Sequence, residues 1–199
     1  MIEISLTSFV DFVLATGTTR IGRVRDIKRQ IEEGYSPATD FYKGIREGIV
    51  ECHREGRDLA SLDRVVAQAH ERKRAHYAEI AGGYRRFLKG RKVGSFDVPW
   101  GKWSYGELSV AVNPEIGLKL GGTPHAVKLY FKRDPVSQRR VEVVLYLMEE
   151  ALGHSLRKKH VGVLDVRRGR LYSPKAVSPD LGALLAGEGA AFAEMWRRV

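Results

Sequence analysis

The segment His125-Ala-Val-Lys128-Leu-Tyr130-Phe-Lys132-Arg133 interleaves cationic and aromatic residues with apolar ones. In an extended strand, successive side chains point to opposite faces. Lys128, Tyr130 and Lys132 therefore share one face, and Val127, Leu129 and Phe131 the other. Two ammonium groups flanking a phenol ring suit a phosphate backbone with a base stacked between them. The same alternation also serves as the wet face of an ordinary antiparallel strand. Further on, Arg139-Arg140 opens a segment with helical periodicity. Backbone N–H groups at a helix start favour anions, and guanidinium groups there need a negative neighbour, either a phosphate or Glu142. The turn Asp165-Val-Arg167-Arg168-Gly169-Arg170 concentrates three more guanidinium groups, whose planar fork fits phosphate oxygens in pairs. The plainer reading is a solvated hairpin tip. Asp165 in the same turn is either an arginine partner or a metal carboxylate.

Other chemistries find little support. Cys52 is the single cysteine, so no disulfide closes within the chain, and a reducing compartment suits it. Cys52 and His53 are adjacent, which on a helix turns them about 100° apart. His70 and His76 lack zinc-ligand spacing. Gly121-Gly122-Thr123 lacks the lysine and spacing of a phosphate-binding loop and reads as a turn. No histidine–carboxylate set stands out as an acid–base pair.

The net charge of +10 over 199 residues favours polyanionic partners through long-range attraction and counterion release. It is evenly spread: residues 1–92 hold 18 Lys/Arg and 13 Asp/Glu, and residues 93–199 hold 16 and 11. The helix-patterned stretch from Glu71 to Lys92 carries Arg72, Lys73, Arg74, Arg85 and Arg86 on a side that is either solvated or laid along a phosphate backbone. Glu3 and Asp11 interrupt the apolar N-terminus, which also lacks a basic leader, so a secretory signal is not expected. No apolar run approaches the roughly 18 residues of a membrane span, and the expected location is cytoplasmic.

Helical periodicity with turn signals runs through the first half. One helix starts at a Ser5 or Thr7 cap and ends by Gly17, and a second covers Thr19 to Glu33. A third starts at Ser36-Pro37 and carries Phe41, Ile45, Ile49 and Cys52. A fourth is capped by Asp58. A fifth spans about Arg72 to Leu88, with Tyr77 and Tyr84 on its core side. Near Lys92 the pattern changes. Strands are expected over Leu108–Val112, Ile116–Leu120 and the Lys128 segment. A helix from Ser137 to Leu152 follows, then a buried strand over Val161–Val166, a short strand at Leu171-Tyr172, and a last helix opened by Pro179. Trp100 and Trp103 flank Gly101 beside Pro99, in a stretch too broken for a core strand; they either cover a seam or anchor a protein partner.

The order helix, three strands, helix, strand over residues 71–172 resembles the core of the PD-(D/E)xK nuclease superfamily. That resemblance implies a divalent metal held by an acidic residue on the second strand and an acidic-x-lysine pair on the third, assisted by a glutamine or lysine on the next helix. Glu115, in Asn113-Pro114-Glu115, falls where the first acid would sit. Ala126 and Tyr130 stand two positions before Lys128 and Lys132, so the acidic-x-lysine motif is degenerate, and Gln138 lies at the very start of the helix.

The expected architecture is α+β: a helical N-terminal bundle over residues 1–92 and a small mixed β-sheet flanked by helices over 93–199, either as two domains or as one continuous domain. The expected function is nucleic-acid binding, DNA or RNA, without catalysis and without a cofactor. Its contacts would come from Lys128, Tyr130, Lys132, Arg139, Arg140, Arg167, Arg168 and Arg170. Two alternatives stand beside it. One is a Mg²⁺-dependent nuclease resting on Glu115, Asp165 and Lys128. The other is an adaptor subunit of a larger complex, held through Trp100 and Trp103. No membrane partner is expected.

Overall fold

A computed structural model of the protein describes residues 1–34, 40–56, 58–156, 160–173 and 180–199. The first half is helical except for its opening strand. β1 (Ile2–Ser5) leads directly into α1 (Leu6–Val13), and the side-chain oxygen of Ser5 accepts the Ser8 N–H at 3.1 Å, capping the helix as expected. α2 (Thr19–Glu32) stops before Gly34, whose positive φ of 79° is the backbone state glycine adopts without cost. α3 (Lys43–Arg54) buries Ile45, Ile49 and Cys52 along one stripe. Its expected start at Ser36-Pro37 lies outside the described residues. α4 (Ser61–Gln68) and α5 (Glu71–Leu88) complete the series, and Tyr77, Ile80, Tyr84 and Phe87 make up the buried side of α5.

The second half supplies β2 (Val93–Phe96), β3 (Gly101–Tyr105), β4 (Leu108–Val112), β5 (Ile116–Leu120) and β6 (Thr123–Tyr130). α6 (Gln138–Leu156), β7 (His160–Asp165), β8 (Arg170–Tyr172) and α7 (Asp180–Arg198) follow. Ser137 caps α6 by accepting the Arg140 N–H at 3.2 Å. Gly153 does not end α6, because an exposed glycine close to a helix end costs only about 1 kcal/mol and the helix continues past it. Pro179, expected to open the last helix, lies outside the described residues.

The strands form two sheets. The smaller has the order β1-β4-β3, with β1 parallel and β3 antiparallel to β4. The larger has the order β2-β5-β6-β7-β8. Only its β6–β7 pair is parallel, and the crossover between those strands is made by α6. Two expectations change here. Ile2–Ser5, read as a lead into the first helix, is a strand paired with β4, and this joins the two ends of the sequence reading in one sheet. Leu108–Val112 does not head the β5–β6 meander. It is buried along almost its whole length in the smaller sheet, and Val93–Phe96 takes the place beside β5.

Each face of the larger sheet carries an apolar cluster. On one face Ala126, Val161 and Val163 pack with α1, α2, α6, α7 and the smaller sheet, including Phe9, Phe12, Val24, Leu147 and Phe192. On the other, Ile116, Leu118, Val127, Leu129 and Leu164 pack with Ile45, Ile49, Leu62, Tyr77, Ile80, Tyr84 and Phe87 of α3, α4 and α5. The N-terminal helices are thus shared between the two layers, and the α+β sheet lies between them. That arrangement decides the environment of every residue on β6.

Candidate functional site

Strand parity places Lys128 and Tyr130 on the same face of the sheet as Ala126. That face lies beneath α1 and α6, not in water. Tyr130 packs, half-buried, against the apolar cluster of that layer, and its burial pushes the phenol pKa up. The Lys128 side chain is 17% exposed and the Glu115 side chain 13%. Lys128 Nζ donates to Glu115 Oε1 at 2.5 Å and to the Asn113 carbonyl at 3.2 Å, while Glu115 Oε2 accepts the Leu129 N–H at 2.8 Å. The expected wet face with two free ammonium groups is therefore corrected. Lys128 is committed to an internal ion pair, and the aromatic ring between the lysines is core. Of the helices that cover this face, α6 follows β6 directly and α1 comes from the far N-terminal part of the chain.

Lys132, half exposed, and Arg140, whose side chain is only 16% exposed, converge on one acid. Lys132 Nζ lies 3.2 Å from Asp11 Oδ1 and 3.3 Å from Oδ2, and Arg140 Nη2 donates to Asp11 Oδ1 at 2.6 Å. A cavity of about 330 Å³ opens beside this trio; α1, β6 and α6 supply Val10, Lys128, Tyr130 and Arg140 to its lining, and Tyr42 and Arg46 close it from the α3 side.

The β7–β8 turn splits its arginines between structure and surface. Asp165 is fully buried: its Oδ1 accepts the Arg168 N–H at 3.2 Å, its Oδ2 accepts the Val136 N–H at 3.4 Å, and the Arg168 guanidinium lies 3.2 Å from Oδ2. Asp165 is thus an arginine partner and organiser of the turn. Arg168 Nη2 also donates to the Arg133 carbonyl at 2.9 Å, tying the turn to the end of β6. Arg167 is corrected from a surface contact to a buried pin, with its side chain 1% exposed. It donates to the Phe131 carbonyl at 2.7 Å, pairs with Glu79 and meets His76 Nδ1 at 3.2 Å. Arg170 is exposed and sits over the Tyr172 ring, 4.8 Å from its centroid. Arg139, on the first turn of α6, is exposed.

Glu115, Asp165 and Lys128 share a face but do not converge. Glu115 precedes the Ile116–Val127 pair of β5 and β6, whereas Asp165 on β7 pairs with Tyr130. The carboxylates stand on strands either side of β6, so roughly 10 Å separates them laterally at the usual strand spacing. Every one of their oxygens already accepts an internal donor, and Ala126 at the second-acid position is buried. A Mg²⁺ ion is held by carboxylates that converge on it, and with these two on opposite sides of β6 and the Lys128 ammonium seated on Glu115 the donor set does not fit it. Among the described residues no group of three or more His, Cys, Asp or Glu is placed to hold a metal. Gln138 donates to Glu142 at 2.9 Å, on its own helix.

Trp100 is 68% exposed, and Trp103 is half-buried, stacked on Phe9 with centroids 5.4 Å apart. Of the tryptophan pair, then, one covers a seam and the other faces water. No helix among the described residues is long and apolar enough to cross a membrane. Sequence reading gave Asp11, Glu79 and His76 no part in a site. For Asp11 there was a signal, since it is the only charged residue of a helix otherwise apolar or hydroxylic; Glu79 and His76 carry none, because their partner is 88 or more positions away.

Comparison with protein-family models, with curated proteins and with solved structures finds no match to this chain. Function therefore rests on the geometry alone.

Proposed function

We propose that this protein binds the sugar–phosphate backbone of nucleic acid without cleaving it, through the basic side chains gathered at the carboxyl ends of β6 and β7. One observation carries the reading. Lys132 and Arg140 meet on Asp11, while the Arg168 guanidinium, held by Asp165, donates to the Arg133 carbonyl just beyond the end of β6, next to Lys132 in the chain. Exposed Arg139 and Arg170 lie on the same α6 start and hairpin. Ligands of sheets with parallel strands commonly bind outside the carboxyl ends of those strands, where loops meet helix N-termini. The net charge of +10 acts in the same direction.

The order α5, β2, β5, β6, α6, β7 supports a relationship to the PD-(D/E)xK core, with β3 and β4 inserted after the first strand. In that reading the Glu115–Lys128 ion pair stands where a metal centre would be, and catalysis has been lost while the binding surface is kept.

The test is binding of a fluorescein-labelled duplex and a single strand of the same sequence across a salt series. Affinity is expected to fall steeply with salt, and Lys132→Glu and Arg168→Glu to weaken binding to all sequences alike. An affinity indifferent to salt, or none at low salt, overturns the reading. Mg²⁺-dependent cleavage lost on Glu115→Ala would establish the nuclease alternative instead. The adaptor alternative keeps one specific support, the exposed Trp100, and predicts a partner whose capture is lost on Trp100→Ala.

A further inference from the structure

Asp11 occupies an unusual place for a carboxylate. It lies on α1, which is otherwise apolar or hydroxylic, and it is three-quarters buried at its side chain. Two cations from other elements, Lys132 and Arg140, meet on its Oδ1 oxygen. Two positive groups thus share one negative one, so the trio retains a net positive charge. Its geometry, an ammonium and a guanidinium nitrogen on one oxygen with the ammonium reaching a second, is the geometry a phosphodiester's two free oxygens accept. Lys132 and Arg140 line the cavity of about 330 Å³, whose other charged lining residues are Lys128, Arg46, Asp40 and Glu115. A second cavity, of about 250 Å³, is lined by Asp11 itself with Arg23, Asp26 and Arg29. The Asp11 ion pairs thus connect residues of the two linings.

We propose that Lys132 and Arg140 form a phosphate clamp whose seat Asp11 holds in the unbound protein, and that a backbone phosphodiester of the nucleic acid enters by displacing that carboxylate. This rests on the nucleic-acid reading above and adds to it a named phosphate subsite and an internal competitor. The Asp11 carboxylate keeps the two cations oriented and pre-desolvated, so little side-chain ordering is left to the binding step. It also sets a threshold, because a ligand has to outcompete a tethered anion, which a polyanion offering many linked phosphodiesters does more readily than a single small anion. When Asp11 swings out, the second cavity offers it Arg23 and Arg29 of α2 as cationic lining.

The experiment compares wild type, Asp11→Asn and Asp63→Asn for binding to the fluorescein-labelled single strand and duplex over a salt series. Asp63 pairs with Arg85 and is two-thirds exposed on another part of the molecule, so Asp63→Asn makes the same change in net charge without touching the clamp. Asp11→Asn is expected to bind roughly two- to fivefold more tightly than Asp63→Asn, the range that loss of one partly exposed ion pair supports. Asp11→Asn binding no tighter than Asp63→Asn, while wild type binds, overturns the clamp and leaves the wider reading standing. Absence of wild-type binding at low salt fails the wider reading itself. Should Asp11→Asn fold poorly, Lys132→Gln in the native background carries the test. The slope of log affinity against log salt is expected to fall by about one, and an unchanged slope overturns the clamp.

Discussion

Gly83 of α5 and the Val166 carbonyl meet in direct contact: a Cβ placed at Gly83 would overlap the carbonyl oxygens of Val166 and Arg167. The helix therefore lies flat on the β7–β8 turn, close enough for Arg86 Nη2 to donate to the Arg167 carbonyl at 2.8 Å. This contact fixes the turn that carries Arg168, and so bears on the proposed binding surface as well as on stability. Gly83→Ala is expected to destabilise the fold by about 1–3 kcal/mol through overpacking against backbone that cannot give way. Gly82→Ala, where the new methyl meets only the tip of Arg86, is expected to be neutral or stabilising by up to about 1 kcal/mol. Urea denaturation of the two variants checks the pair, and equal effects would refute the close contact.

The Glu115–Lys128 pair makes a sharper energetic prediction than any surface charge. Glu115→Ala leaves a largely buried ammonium with only the Asn113 carbonyl and leaves the Leu129 N–H without an acceptor. The expected cost is about 2–3 kcal/mol. Replacing both residues together, Glu115→Ala with Lys128→Met, is expected to recover a substantial part of it, because no uncompensated charge remains. A double-mutant cycle by denaturant unfolding reads the coupling. Additive losses would show that the two groups do not depend on each other.

Arg167 separates structure from binding. Its guanidinium is enclosed, whereas its carboxylate partner Glu79 is over half exposed, so Arg167→Met leaves Glu79 in water at little cost. The loss then falls on the Phe131 carbonyl, for about 1–3 kcal/mol of stability. Affinity for the labelled duplex, measured well below the unfolding transition, is expected to stay within about twofold of wild type. A large loss of affinity would return Arg167 to the binding surface.

Acid sensitivity is expected at His53. Its ring nitrogen Nε2 meets the Tyr84 hydroxyl, and burial lowers its pKa below the usual imidazole value. Burial also pushes the Tyr84 phenol far up, so that hydroxyl stays protonated and shares a hydrogen bond with a neutral His53. In the unfolded chain the imidazole takes up its proton near its ordinary value, about 6.5. The folded state resists protonation down to a lower pH. The stability His53 contributes is therefore fully present above about 6.5 and is lost as pH falls from there through the lowered folded value. His53→Gln is expected to flatten stability between pH 7 and 5 relative to wild type, as followed by thermal melts. Parallel profiles for the two proteins would exclude the coupling.

Local structure was legible in the sequence wherever the code is local. Helical spacing located α2, α5 and α6 to within a few residues, and Ser5 and Ser137 announced caps that the hydroxyl groups do make. Period-two alternation located β4, β5 and β6. Which strands pair with which is non-local, and there the reading diverged: nothing in Ile2–Ser5 says that it will lie beside Leu108 to Ala111. The candidate site was legible as a set of residue types only. Lys132 and Arg140 do meet on Asp11, while Lys128 and Arg167 turn inward.

The amino-acid sequence by itself determined the class of the fold, the positions of most helices and strands, the excess of positive charge and the absence of a cysteine framework. These follow from spacing, capping and composition, which act over a few residues or over the chain as a whole. The tertiary structure alone decided which face of β6 meets water, because that depends on where α6, which follows β6, and α1, from more than 100 residues earlier, come to rest. It likewise decided which bases keep an acid beside them. Ion pairs such as Asp11 with Arg140 or Glu79 with Arg167 form between groups far apart in sequence, and only packing brings their charges within reach.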